Sequence, residues 1–409
     1  MIGYPDALSR ILAQCAPLAP EPCASVEAMG RVLAAPVIAR ADLPPFDNAA
    51  MDGFALAGDD SPVAAGSVHA IAGRQAAGDA PSDSGGLAFE IMTGARMPEG
   101  LDRVVAVERT ENLSADDEAP GIRLLDSVAR GQNVRYAGSD IAIGQTVLTA
   151  GRRIDPSAAM QLAALGVTGI PVMKRPRVAI ISTGKELSDD PSQPLAPGAI
   201  RNSNGPYLEG ALHMAGAEVV SRVTVDDTVD TFRTALGHAL AAGVDIVIST
   251  GAVSMGRYDF IPDTVRELGA EVLFHKVAIR PGKPLLFARF ANGPLLFGLP
   301  GNPISTAIGM RFFVTPALRA MGGLPAERPL RAVLDSAPRA ASALRHFLKA
   351  TLRMGDDGRL HAELLAGQES FRIRPLVEAN AWVVVPEAGS GEVVDVYSLD
   401  ANGMLIPAP

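Results

Sequence analysis

RVAIISTGKEL, residues 177–187, decides the fold. Val178 to Ile181 form an unbroken apolar run, the pattern of a strand buried on both faces rather than one face open to water. The run stops at Ser182-Thr183-Gly184, and VDIVISTGA (244–252) repeats the arrangement. Between them lie a helical stretch from about Asn204 to Ala215 halted by Gly216, a strand EVVSRVTV (218–225) and a helix from Thr228 to Ala242. Further on come a helix from Phe260 to Leu268, a strand AEVLFHKVAI (270–279), a hairpin of PLLFARF and GPLLFGL, and a last helix from Ile304 to Met321. Strands alternating with helices of this length predict βαβ units around a mainly parallel sheet.

Working outward, the N-terminal side is punctuated differently. PDALSRILAQCAPLAP reads as a short amphipathic helix ended by Pro17 and Pro20, and VEAMGRVLAAPVIA repeats that pattern, which places Cys15 and Cys23 in N-terminal helices. From Ser61 to about Leu148, short apolar runs between Gly, Pro and Asp turns predict a β-rich lobe. Asp155-Pro156 opens a helix, with Asp as N-cap and Pro in the first turn. On the C-terminal side, GGLPAERP (322–329) is a linker, and RAVLD, RHFLKATL, RLHAELL, AWVVVPE and EVVDVYSL predict a small β-barrel. The expected fold is multidomain α+β. N-terminal helical segments and a β-rich lobe (about 44–145) occupy 1–168, a central α/β three-layer domain with a mainly parallel sheet spans 174–321, and a C-terminal small β-barrel spans 329–409.

Composition narrows the function. A net charge of −9 argues against a nucleic-acid or membrane-surface partner, which needs a basic face. Two cysteines make neither a disulfide framework nor a four-ligand zinc site. No apolar run reaches the length of a membrane span, and the N-terminus lacks the basic and apolar regions of a signal peptide, so a cytoplasmic location is expected. Lysine is rare: Lys174, Lys185, Lys276, Lys283 and Lys349 are the only five.

In an open parallel sheet, ligands bind beyond the carboxyl ends of the strands. Those ends carry Ser182–Leu187, Asp226-Asp227-Thr228, Ser249–Asp259, Arg280–Pro284 and Gly298–Pro303. Glycines let backbone N–H groups approach phosphate, and helix N-termini add partial positive charge. Thr183, Gly184 and Ser254 are candidate ligand contacts, and Lys185, Lys276, Arg280 and Lys283 candidate cations. Strand alternation would put positions 276, 278 and 280 on one side. Glu186, Asp226 and Asp259 are carboxylates of the kind that bridges Mg²⁺ to phosphate, although Asp226-Asp227-Thr228 reads equally well as an acidic helix start. Neither a dinucleotide fingerprint nor a P-loop is present, nor a Ser/His/Asp triad.

Eight ordered motifs carry a specific resemblance: PPFDNAAMDGFAL (44–56), IMTGARMPEG (91–100), VRYAGSDI (134–141), ISTGKEL (181–187), IRNSNGPYL (200–208), STGAVSMGRYDF (249–260), KVAIRPGKPLLF (276–287) and GLPGNPIST (298–306). Together they resemble the molybdopterin molybdenumtransferases, related to the gephyrin E domain, over nearly the whole chain. The resemblance implies an enzyme that joins molybdate to adenylylated molybdopterin, with Mg²⁺-assisted hydrolysis of the adenylyl bond and release of AMP. By motif position it implies Asp52, Glu186, Asp226 and Asp259 as catalytic acids, the last three as metal ligands. It implies Thr93, Lys276, Arg280, Pro300, Pro303 and Ser370 as substrate contacts, with Lys349 near Ser370 where other members carry Arg. It further implies a homodimer in which the barrel of one subunit covers the site of the other, and contacts with the upstream molybdopterin adenylyltransferase and with molybdoenzyme delivery proteins. The short linker, on this reading, keeps the barrel from folding back over its own sheet. Ala252 stands where many members have Gly, a mild change if its φ is negative. The competing readings are a non-catalytic gephyrin-like scaffold and a nucleotide-handling enzyme that shares only the central domain.

Overall fold

The computed structural model describes residues 1–113, 120–252, 260–291, 293–337 and 339–400. The chain divides into two compact units. One comprises Pro22–Met29 and Ala35–Ile170; the other comprises Met1–Glu21, Gly30–Ala34 and Pro171–Pro409.

The chain opens with helix α1 (Tyr4–Leu12), which belongs to the larger unit. The smaller unit then holds a six-stranded sheet of β1 (Gly53–Leu56), β2 (Val68–Gln75), β3 (Ala88–Ile91), β4 (Arg103–Ala106), β5 (Thr110–Leu113) and β6 (Gly121–Leu124), in the order β4-β1-β3-β2-β6-β5. This is the expected β-rich lobe. Its helix α2 (Pro156–Ala164) starts as expected, with the Asp155 carboxylate accepting the Ala158 amide at 2.7 Å. The second N-terminal helix is not formed. Pro20–Ala24 is an extended strand carrying Cys23, and only a 3₁₀ turn, Ser25–Glu27, follows. Within the expected span, 26–39, Gly30 at φ 75° breaks the helix and Pro36 removes a helix hydrogen bond, while Pro20 and Pro22 keep Cys23 extended. Cys15 lies in the turn after α1 rather than within it.

The larger unit is built on a second six-stranded sheet. In chain order its elements are β7 (Arg177–Thr183), α3 (Asn204–Ala215), β8 (Glu218–Val225), α4 (Val229–Ala241), β9 (Ile246–Thr250), α5 (Ile261–Glu267), β10 (Ala270–His275), β11 (Ile279–Arg280), β12 (Leu286–Phe290), β13 (Leu295–Leu299), α6 (Pro303–Gly309) and α7 (Thr315–Met321), with a π-helical turn, Met310–Val314, between the last two. The sheet order is β8-β7-β9-β13-β12-β10, and β8, β7, β9 and β13 are parallel. Only β12 runs against its neighbours. Ile180, Ile248 and Phe297 pack on one face with Leu208 and Leu212 of α3 and Ile304 and Ile308 of α6. Ile181, Val247 and Leu296 pack on the other with Phe232 and Leu236 of α4 and Val265 of α5. This gives the three layers, and it explains why these strands read as continuous apolar runs.

The strand expected over 270–279 is broken. Lys276 adopts φ 76°, which separates β10 from β11, so positions 276, 278 and 280 do not share one face of a continuous strand. β11 instead leaves the sheet and pairs in parallel with Arg345-His346 of the C-terminal region.

The barrel consists of β14 (Leu330–Leu334), β15 (Arg345–Met354), β16 (Leu360–Leu364), β17 (Ala381–Val385) and β18 (Val393–Ser398), with a short helix α8 (Arg374–Glu378). It closes in the order β15-β16-β14-β18-β17-β15. Alternate residues serve two cores. Ala381, Val383 and Val385 fill the barrel, while Trp382 and Val384 pack into the α/β core beside Phe312 and Phe313. Phe347 does the same from β15, with the Tyr4 ring edge-on at 5.4 Å. The linker therefore does not hold the barrel away from its own sheet: barrel and α/β layers share a core within one chain.

Candidate active site

The carboxyl ends of β7, β8, β9 and β13 are tied into one rim. The Thr183 hydroxyl donates to the Thr250 carbonyl at 3.0 Å, the Gly184 amide to Val225 at 3.0 Å and the Gly251 amide to Leu299 at 3.2 Å. Gly251 has to be glycine. Its φ is 91°, and a Cβ there would stand 2.5 Å from the Thr183 carbonyl oxygen. Gly301 lies against Gly251, and its carbonyl accepts from the Asn204 side chain at 2.8 Å. The Pro300 carbonyl accepts the Thr306 hydroxyl at 2.6 Å, which locks the Pro300–Pro303 turn onto the first turn of α6. The result is a backbone floor of small residues.

Acids lie toward one end of this rim. The Glu186 carboxylate lies over Gly184, whose added Cβ would meet both its oxygens at 2.9 Å. Asp226 follows β8 directly. Both side chains are exposed, and among the described residues neither has an ion-pair partner. The alternative reading of Asp226-Asp227-Thr228 as a helix start is also realised: Thr228 caps α4, and Asp227 accepts the Lys185 amide at 3.3 Å, which leaves the Asp226 carboxylate without a capping duty. Among the described residues no group of three His, Cys, Asp or Glu forms a ready-made metal cage. Two exposed oxygen donors on adjacent strand ends nevertheless suit Mg²⁺, which is held by one or two carboxylates plus substrate phosphate. Asp259 and Ser254 lie outside the described residues.

Of the four candidate cations, Lys185 is exposed beside Glu186 at the acid end; the other three lie at the other end, on the turn between β10 and β12. This turn is closed by the Val277 amide on the Lys283 carbonyl at 2.9 Å and the Lys276 amide on Leu285 at 2.9 Å, and the Ile2 amide donates to the Lys276 carbonyl at 3.2 Å. Arg280 and Lys283 are exposed, and Lys276 is half-buried. Arg280 sits opposite His346 of the barrel; burial, then Arg339 and Arg280, hold that imidazole below its ordinary pKa.

Ser370 arrives from the barrel of the same chain: its carbonyl accepts the Ile304 amide at 3.0 Å, at the start of α6. Lys349 is fully buried and donates to the Gly367 carbonyl at 2.8 Å and to Arg372 at 3.3 Å, so it holds the Ser370 loop from beneath. Burial pushes its ammonium below the usual lysine pKa. In the smaller unit, Asp52 accepts both the Thr93 amide, at 2.7 Å, and its hydroxyl, at 2.8 Å. Those two bonds hold the Asp52 carboxyl below the usual carboxylate range. Ala252 has φ 48°, so the replacement of Gly there is not the mild one of a negative φ.

Sequence reading missed a second set of residues. Arg201, Asn202 and Asn204 fasten the loops to one another, and Asp189 accepts from Asn202 at 3.0 Å. The signal was the Asn-Ser-Asn-Gly run before a helix, residue types that bond to neighbouring backbone.

An α/β sheet whose carboxyl edge is floored by glycine and proline turns, with carboxylates at one end and three cations at the other, has the chemistry of an enzyme site for an anionic ligand. Three family models cover the chain: the MoeA N-terminal region (domain I and II) over residues 2–166, a probable molybdopterin binding domain over 179–320, and the MoeA C-terminal region (domain IV) over 331–399. A molybdopterin molybdenumtransferase of Synechococcus elongatus is 36% identical over 98% of this chain and 100% of its own length. One from Staphylococcus aureus is 34% identical over 98% and 96%. The crystal structure of the molybdopterin biosynthesis moeA protein from Pyrococcus horikoshii OT3 superposes with a TM-score of 0.80 at 29% identity, covering 97% of this chain and 99% of that one. The chain belongs to the molybdopterin molybdenumtransferase (MoeA) family, the transferases of molybdenum cofactor biosynthesis.

Proposed function

We propose that this protein inserts molybdate into adenylylated molybdopterin, hydrolysing the adenylyl bond and releasing AMP with the help of Mg²⁺. The observation that carries this reading is the separation of the two charged ends. From β8 to β10 is five strand intervals, about 24 Å at ~4.8 Å per interval. A ligand that spans that distance and carries an anhydride and an oxyanion suits an edge with carboxylates at one end and Lys276, Arg280 and Lys283 at the other.

Thr183, Gly184, Pro300 and Pro303 line the floor, where backbone can approach phosphate oxygens without a side chain intervening. Glu186 and Asp226 would hold Mg²⁺, together with Asp259 by family position. Bound there, the ion neutralises the charge that develops on the phosphate oxygens. In the hydrolysis a water oxygen adds to the adenylyl phosphorus, the bridging phosphorus–oxygen bond of the anhydride breaks, the molybdopterin phosphate leaves with the bonding electron pair, and AMP carrying the new oxygen is released together with a proton. The side chains described in these loops include no activated serine or cysteine, so the chain's role is to orient and neutralise. Lys276, Arg280 and Lys283 hold the anionic part of the ligand, with Ser254 and Ser370 as further contacts by family position. Asp52 and Thr93 are assigned to the same reaction on the same basis. We further propose a homodimer supplied by the upstream molybdopterin adenylyltransferase and discharging to molybdoenzyme delivery proteins. No helix among the described residues is long and apolar enough to cross a membrane.

The test is reconstitution from purified adenylylated molybdopterin, molybdate and Mg²⁺. The expected result is AMP released in step with a product that activates a cofactor-free molybdoenzyme. A protein that binds the nucleotide but releases no AMP would favour the scaffold instead.

A further inference from the structure

The segment Arg201–Gly205 lies in the motif IRNSNGPYL, yet the reaction as described above gives it no task. Its side chains reach the loop after Glu186, the end of β8 and the Gly301 turn. Arg201 donates to the Ser188 hydroxyl at 3.1 Å and to the carbonyls of Asp190, Pro191 and Gln193, gathering the excursion that follows Glu186. Asn202 is only 6% exposed and serves three elements at once. Its amide nitrogen donates to Asp189 and to the Thr224 hydroxyl of β8, each at 3.0 Å, and its oxygen accepts the Gly205 amide of α3 at 3.0 Å. Two backbone bonds extend the tie to the acid itself: Asn202 N–H to Ser188 at 3.0 Å and Ile200 N–H to Glu186 at 2.7 Å. Asn204 then reaches Gly301 on the far side of the floor. Gly205 permits the close approach, since a Cβ there would lie 3.0 Å from the Asn202 amide nitrogen and 3.1 Å from Arg222.

We propose that Asn202 is a positioning residue: through Asp189 and Thr224 it fixes the loop that presents Glu186 next to Asp226, and so sets the metal requirement of the reaction. The inference rests on the reading of Glu186 as a metal-holding acid. Asn202 touches neither ligand nor metal; it acts by orienting the loop, as residues behind metal ligands do. Its two functions are separable because they use different atoms. The oxygen caps α3, while the nitrogen ties the loop.

Asn202→Asp keeps an acceptor for the Gly205 amide but sets a carboxylate against Asp189. Adding Asp189→Asn reverses donor and acceptor and restores the pair, with Arg222 beside both positions to balance the charge. The experiment measures the Mg²⁺ concentration for half-maximal AMP release, and amide hydrogen exchange at Leu187, Ile200 and Gly205, in wild type, Asn202→Asp, the double variant and Glu186→Gln. In Asn202→Asp the Mg²⁺ requirement should rise roughly 10- to 100-fold. Exchange at Leu187 and Ile200 should quicken while Gly205 stays protected, and the double variant should return both readouts toward wild type. Unchanged Mg²⁺ requirement despite faster exchange would reduce Asn202 to a structural role and overturn the inference, as would failure of the double variant to rescue. If Glu186→Gln leaves the Mg²⁺ requirement unaltered, it is the role of Glu186 that fails, and the exchange data still report whether the tie exists.

Discussion

At the acid end of the sheet edge, the Glu186 loop is held by a short parallel ladder, Leu187-Ser188 on Ile200-Arg201, and by side chains: Asn202 and Arg201 bond to Asp189, Thr224 and Ser188. At the basic end, Lys276, Arg280 and Lys283 are placed by backbone: the Val277–Lys283 closure, the Ile2 contact and the β11·β15 ladder. A frame of side chains can be undone by one substitution. A frame of main-chain hydrogen bonds survives most substitutions and fails only when the strand that completes it is displaced. The acid end is therefore the more open to change by a single substitution, which suits the proposed division between a metal end and a ligand end.

The largest effect should come from displacing that strand. Trp382→Ala removes a fully buried indole through which the barrel packs on the α/β core. It should cost about 3–5 kcal/mol of stability, read from urea unfolding. The affinity for adenylylated molybdopterin should fall with it, because β15 carries the basic turn. A loss below about 1 kcal/mol would mean that the barrel does not brace this end.

Removing one cation without disturbing the frame should have a smaller effect. Lys276 sits at φ 76°, so Lys276→Ala would confuse lost charge with backbone strain, whereas Lys276→Gly accepts the conformation. A charge-assisted hydrogen bond is worth roughly 1.5–3 kcal/mol, so Lys276→Gly should raise the dissociation constant on the order of 10- to 150-fold. Calorimetry showing an unchanged constant would remove Lys276 from the binding set.

The smallest effect concerns Asp52. Thr93→Val deletes the hydroxyl donor and keeps the amide, so the depressed Asp52 pKa should move part of the way back toward the ordinary value. A carboxyl with a depressed folded pKa contributes stability that is present above its unfolded pKa and lost as pH falls through the folded value. In the variant that contribution should be smaller, and its loss should be complete at higher pH, by less than about one unit. NMR titration of the Asp52 carboxyl checks this; an unmoved midpoint would show that the hydroxyl bond does not hold the charge.

Much of this architecture was legible because it is written in local patterns. Continuous apolar runs gave the sheet, Gly216 ended α3, Asp155-Pro156 opened α2, and the glycine loops marked the ligand edge. What was illegible depends on contacts far apart in sequence. The break at Lys276 follows from β11 being drawn to the barrel, and no periodicity within 270–279 announces it. Trp382 and Phe347 facing the α/β core could not be read from strands that are apolar on both sides. The expected second N-terminal helix, 26–39, followed apolar spacing and underweighted Gly30 and Pro36. Asn202 was visible only as part of the motif IRNSNGPYL; its loop tie joins positions that the sequence does not bring together.

Glu186→Gln tests the division of labour between the two ends most directly. Its affinity for adenylylated molybdopterin, measured by calorimetry without molybdate and paired with AMP release at saturating substrate, separates binding from chemistry. If the acid end serves the metal and the basic end the ligand, affinity should stay within about threefold of wild type, while AMP release falls on the order of 10- to 150-fold, as loss of one charged contact would produce. Affinity lost by a similar factor, with full AMP release at saturation, would contradict the account.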